Sequence, residues 1–97
     1  MQSFAIADTV GTEPVRMRQV SKRGYEFLVS ADVSFAFTQA IAEVVADSYD
    51  ASGTLTGSER LGGPIAAGGM LVVPLGSAAY RIVRVTAVGP GLMLIFR

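Results

Sequence analysis

The chain has no cysteine, no histidine and no tryptophan, and only 16% of its 97 residues are charged. Without cysteine there is no disulfide, no thiolate nucleophile and no sulfur ligand for zinc. Without histidine the usual proton relay near neutral pH and the commonest metal ligand are both gone. Eight basic residues balance eight acidic ones, so no net field draws the chain toward nucleic acid or an anionic membrane. The start, Met1-Gln2-Ser3-Phe4, lacks the basic residues and apolar run of a secretory signal. What remains is rich in apolar residues, at 51% of the chain. That balance excludes intrinsic disorder and fits one small domain spanning residues 1–97.

The longest uncharged stretch runs from Leu61 to Tyr80. It contains Gly62, Gly63, Gly68, Gly69 and Gly76 with Pro64 and Pro74, too many helix breakers for a membrane-spanning helix. Elsewhere apolar residues recur with period two. Val15 and Met17 alternate with Arg16 and Arg18. Tyr25, Phe27 and Val29 share one face, as do Val33, Phe35 and Phe37 in the next run. Aromatic and β-branched residues at this spacing suit half-buried strands. Met70–Val73, Tyr80–Val88 and Leu92–Phe96 read as further strands, and Gly89-Pro90-Gly91 predicts a tight hairpin pairing 80–88 with 92–97.

Residues 39–48 admit two readings. Ile41, Val44 and Val45 fit a helical face, while Ile41, Glu43 and Val45 fit alternation; a short helix is the preferred expectation. The following Asp50–Ser58 segment carries turn and loop residues. The fold expected is all-β, a small antiparallel β-sandwich of jelly-roll type with one short helix near 39–48.

Candidate chemistry is sparse. Ser21 and the only lysine, Lys22, could form a Ser–Lys dyad, but next to Arg23 and Gly24 they read as a cationic turn. Asp47, Asp50 and Glu59 do not follow the alternating ligand pattern of a calcium loop, since Tyr49 and Ala51 occupy its third and fifth positions. No phosphate loop or nucleophile elbow is present. No catalytic residue, cofactor, metal or small-molecule substrate is assigned. Charge is segregated along the chain: six acids and no base lie between Glu26 and Glu59, with bases before and after. Separate solvated loops would explain this, and so would a basic edge on one copy meeting an acidic edge on another.

Two runs, Met70–Val73 and Leu92–Phe96, have no polar face. A small domain cannot cover such strands on both sides, which points to contacts between chains. The candidate contact residues are Met70, Leu71, Arg81, Arg84, Leu92, Leu94 and Phe96.

The order of segments resembles small β-sandwich structural proteins of tailed bacteriophages: capsid decoration, head-fibre or tail-associated subunits. The similarity covers roughly residues 25–97. It lies in Val33-Ser34-Phe35-Ala36-Phe37, Gly63-Pro64-Ile65-Ala66-Ala67-Gly68-Gly69, Met70–Gly76, Tyr80–Val85 and Leu92–Phe96. It implies a non-enzymatic virion protein, assembled in the host cytoplasm as repeated copies that bind one another and capsid, portal or tail subunits. Neither nucleic acid nor membrane is expected as a partner. Two other classes stay open: a receptor- or glycan-binding spike module using Asp47, Tyr49 and Asp50, and an accessory interaction domain of an enzyme complex.

Overall fold

A computed structural model describes residues 5–10, 13–89 and 94–96. Among the described residues nine strands follow one another: β1 (Ala5–Val10), β2 (Glu13–Gln19), β3 (Gly24–Val29), β4 (Val33–Phe37), β5 (Ile41–Tyr49), β6 (Leu55–Gly62), β7 (Met70–Val73), β8 (Tyr80–Ala87) and β9 (Leu94–Phe96). They form a six-stranded sheet ordered β1-β2-β3-β8-β5-β6 and a three-stranded sheet ordered β7-β4-β9. Every pairing is antiparallel, and the two sheets pack as a small β-sandwich. Among the described residues no helix is long and apolar enough to cross a membrane.

Alternation builds the core as expected. Tyr25, Phe27 and Val29 of β3 and Val33, Phe35 and Phe37 of β4 are all buried. Phe27 and Phe35 join the two sheets, with ring centroids 5.2 Å apart and planes tilted by 47°. Phe37 adds an edge contact to Phe35 at 6.0 Å. Such offset and edge-on pairs contribute about 0.5–1.5 kcal/mol each beyond their area. From β8 come Val83, Val85 and Ala87, and from β5 come Ile41, Val44 and Ala46.

Residues 39–48 are not helical. They lie within β5 and the residues leading into it, and β5 pairs with β8 on one side and β6 on the other. The register shifts between Ile41 and Glu43 against β8, and between Val44 and Val45 against β6. A bulge inserts one residue and inverts the facing pattern beyond it. Ile41 and Val44 therefore both point inward, three residues apart. That spacing imitates a helical face. The segment after it is less of a loop than its composition suggested: residues 50–54 turn, and β6 begins at Leu55.

The expected hairpin between 80–88 and 92–97 does not form. Both edges of β8 are occupied, by β3 and β5, whereas β9 pairs with β4 in the other sheet. A Gly-Pro-Gly turn signals that the chain changes direction, not which strand still has a free edge. Pro90 to Met93, and Leu92 with them, lie outside the described residues.

One glycine in the uncharged stretch has a specific duty. Gly63 has φ of 126°, and a Cβ there would collide with the Ala42 carbonyl oxygen and the Glu43 Cα. Only glycine lets the chain leaving β6 pass so close to β5. Ile65 then makes a bridge to Ile41, with N–H···O distances of 2.8 Å in both directions.

Candidate functional site

Arg81 occupies a core-facing position. On β8 the inward residues are Arg81, Val83, Val85 and Ala87, so the guanidinium lies where the apolar interior ends. The residue is 4% exposed. Its Nη1 donates to the Pro74 carbonyl at 2.7 Å, and its Nη2 donates to Glu59 Oε1 at 2.8 Å. Its Nε is buried and has no hydrogen-bond partner. Arg81 thus ties β6 to the connection that follows β7. The tie borders an open cavity of about 320 Å³ lined by Ser48, Thr56, Glu59, Leu75 and Ser77 among others. Among the described residues no three His, Cys, Asp or Glu side chains cluster to hold a metal ion.

The outer face of the large sheet resolves the charge segregation. Arg18 pairs with Glu26 at 2.6 Å, Arg84 with Asp47 at 3.1 Å, and Arg60 with Glu43 at 3.3 Å. Arg18, Glu26 and Arg84 stand side by side on β2, β3 and β8. Bases and acids far apart in sequence meet as neighbours because β2 and β8 flank β3, and β8 flanks β5. With Arg81–Glu59, four acids of the acidic segment are paired inside the chain. The three pairs on the outer face, each with a partly exposed member, contribute only about 0–1 kcal/mol each. They do settle where the charges go. Lys22 and Arg23 project from the turn between β2 and β3 and are exposed.

The residues considered for a receptor or glycan site gather near the β5–β6 turn. Tyr49 stacks on Tyr80 with centroids 5.0 Å apart and planes 6° from parallel. Asp47 accepts a hydrogen bond from Ser58 Oγ at 2.5 Å as well as from Arg84. Asp50 Oδ1 accepts from Ser52 Oγ at 2.7 Å and from the backbone N–H groups of Thr54 and Ser52 at 2.9 and 3.0 Å. The Ser52 hydroxyl, followed by the Thr54 N–H, holds its carboxyl below the usual carboxylate range. Asp50 therefore organises the turn, as an Asx motif does.

The remaining candidates fall on the small sheet. Along β7, Val73 is buried and Leu71 partly so, while Met70 and Val72 are 61% and 64% exposed. On β9, Leu94 and Phe96 lie in register with Phe37 and Phe35. Because β4 separates β7 from β9, Met70 and Leu71 sit on the opposite side of that sheet from Leu94 and Phe96. Arg84 is on the outer face of the large sheet and Arg81 faces inward. The six candidates among the described residues do not form one surface. Sequence reasoning missed β6, whose neighbouring Glu59 and Arg60 serve two different ion pairs. Alternation in Thr56, Ser58 and Arg60 was its signal, hidden because Gly57 and Glu59 break the apolar phase between Leu55 and Leu61.

Fold and surface together define a small antiparallel β-sandwich whose edge strand β7 is uncharged and exposed. No protein-family model, curated protein or solved structure matches the chain.

Proposed function

We propose that the protein is a non-enzymatic structural subunit, built as repeated copies into a virion and binding capsid, portal or tail subunits there. One observation carries this reading. The edge strand β7 bears no charge, pairs on one side only among the described strands, and exposes Met70 and Val72. Monomeric proteins usually guard such an edge with charges, proline or bulges, because it invites another strand. An unguarded one is suited to permanent contact. The uncharged stretch from Leu61 to Tyr80 brackets it, so closing the contact strips no ion of its water. Adhesion then works by repetition, with many modest contacts adding to a firm hold. The resemblance to phage structural sandwiches supplies the setting.

The test is co-fractionation. Phage particles encoded alongside this chain, banded on a density gradient and dissociated, are expected to contain it in a fixed multiple of the portal or capsid subunit. Particles free of the chain, with all of it left at the top of the gradient, would remove the virion role.

A further inference from the structure

The described strands leave four edges, on β1, β6, β7 and β9; β9 lies against β1 of the other sheet, and β1 and β6 are defended. The pairing of β1 shifts register between Ile6 and Asp8 and includes an acid in the strand. On β6, Glu59 and Arg60 interrupt the edge, and its pairing with β5 shifts twice. β7 has four residues, Met-Leu-Val-Val, in unbroken register with β4. No charge or bulge protects it.

The direction of its backbone groups follows from its neighbour. Phe37 donates to the Gly69 carbonyl at 2.9 Å and accepts from the Gly68 N–H at 2.7 Å. In an antiparallel ladder successive residues turn their N–H and C=O groups alternately toward and away from a given partner. Phe35 and Val33 therefore direct theirs at β7, where they meet Leu71 and Val73. Met70 and Val72 are left with groups aimed away from β4. These are also the two β7 residues whose side chains are exposed.

We propose that β7 pairs with β7 of a second copy, antiparallel, about a two-fold axis through Leu71. This rests on the assembly reading above and names its seam. A centre at Leu71 sets Met70 opposite Val72 of the other copy, and Val72 opposite its Met70. Four backbone hydrogen bonds close between those residues. Every side chain keeps its face, because partners of even separation lie on the same side of a sheet. A centre between Leu71 and Val72 would instead put core-facing residues opposite outward-facing ones. Among the registers that keep every face, the centre at Leu71 closes the most backbone hydrogen bonds within residues 70–73, and two three-stranded sheets become one of six strands. Pairing β7 with β6 of another copy would desolvate Glu59 and Arg60. Four residues bury much less than the ~800 Å² per partner of a standard interface, so the pairing is weak in isolation and gains from repetition.

The native chain has no cysteine, so introduced thiols report alone. Met70→Cys and Val72→Cys chains, mixed in equal amounts and oxidised, are expected to form disulfide dimers at least tenfold faster than either variant by itself. Directly opposed hydrogen-bonded residues have Cα atoms ~5.5 Å apart, within disulfide range, whereas 70–70 and 72–72 pairs are diagonal. In sedimentation velocity, Val72→Lys is expected to weaken self-association at least tenfold with its circular dichroism unchanged. Equal cross-linking rates in all three samples, or unaltered association of Val72→Lys, would overturn the seam. Particles that carry the chain without the 70–72 cross-link would keep the virion role and reject this pairing. A 70–72 cross-link in a chain absent from particles would do the reverse.

Discussion

β6 and β7 approach each other at one side of the sandwich, with Leu71 close to Gly62, yet their free edges are built in opposite ways. β6 is exposed along nearly its whole length and covers itself with hydroxyls and ions: Ser58 to Asp47, Arg60 to Glu43, Glu59 to Arg81. β7 has only apolar side chains and leaves Met70 and Val72 in the open. The difference shows that exposure of an edge does not by itself predict contact. What matters is the desolvation cost of covering it, which is high for β6 and low for β7.

The most forceful way to break this comparison is to remove the support beside β7. Phe35 touches Phe27 and Phe37 and lies in register with Leu71. Phe35→Ala is expected to cost about 3–5 kcal/mol in chemical denaturation, with β4 and β7 losing protection together.

The tie between the two edges should matter next. Arg81→Ala leaves the Pro74 carbonyl and Glu59 without their donor and opens space in the interior; a loss of about 1–3 kcal/mol is expected in the same measurement. Arg81→Met restores the packing and removes the unpartnered Nε, so it should cost clearly less. Equal losses in the two variants would mean that the ion pair, not the packing, carries the effect.

On the polar face the effects shrink. Arg84→Gln removes a half-exposed partner of Asp47, and about 0.5 kcal/mol or less is expected, falling further in salt. Smallest is the turn that introduces β6. The folded Asp50 carboxyl is held below its ordinary range, so its contribution is complete above the unfolded pKa. It is lost as pH falls through the lowered folded value. Amide exchange at Ser52 and Thr54 should therefore accelerate on acidification relative to β5, and Asp50→Asn should abolish that pH dependence.

Some of this was legible in the chain. Tyr25, Phe27, Val29, Val33, Phe35 and Phe37 announce their faces by strict alternation, and all six are buried. The apolar character of Met70–Val73 was equally plain. The bulge in β5 was not, because inverting the alternation after Ile41 gives the spacing of a helix turn. Nor was the destination of β9, since the pull of a free edge on β4 comes from residues some sixty positions away. The proposed seam was only half visible: Met70 and Leu71 could be named from the sequence, but not that Leu71 faces the core.

The sequence by itself determined the class of fold, the core-facing residues of β3 and β4 and the lack of any thiol or imidazole chemistry, because composition and period are local properties. Tertiary structure alone decided that Arg81 turns inward, that segregated charges meet in pairs across the sheet, and that β7 keeps an open edge. Strand pairing is a competition among distant segments for a limited number of hydrogen-bonding edges, and its outcome depends on the whole arrangement.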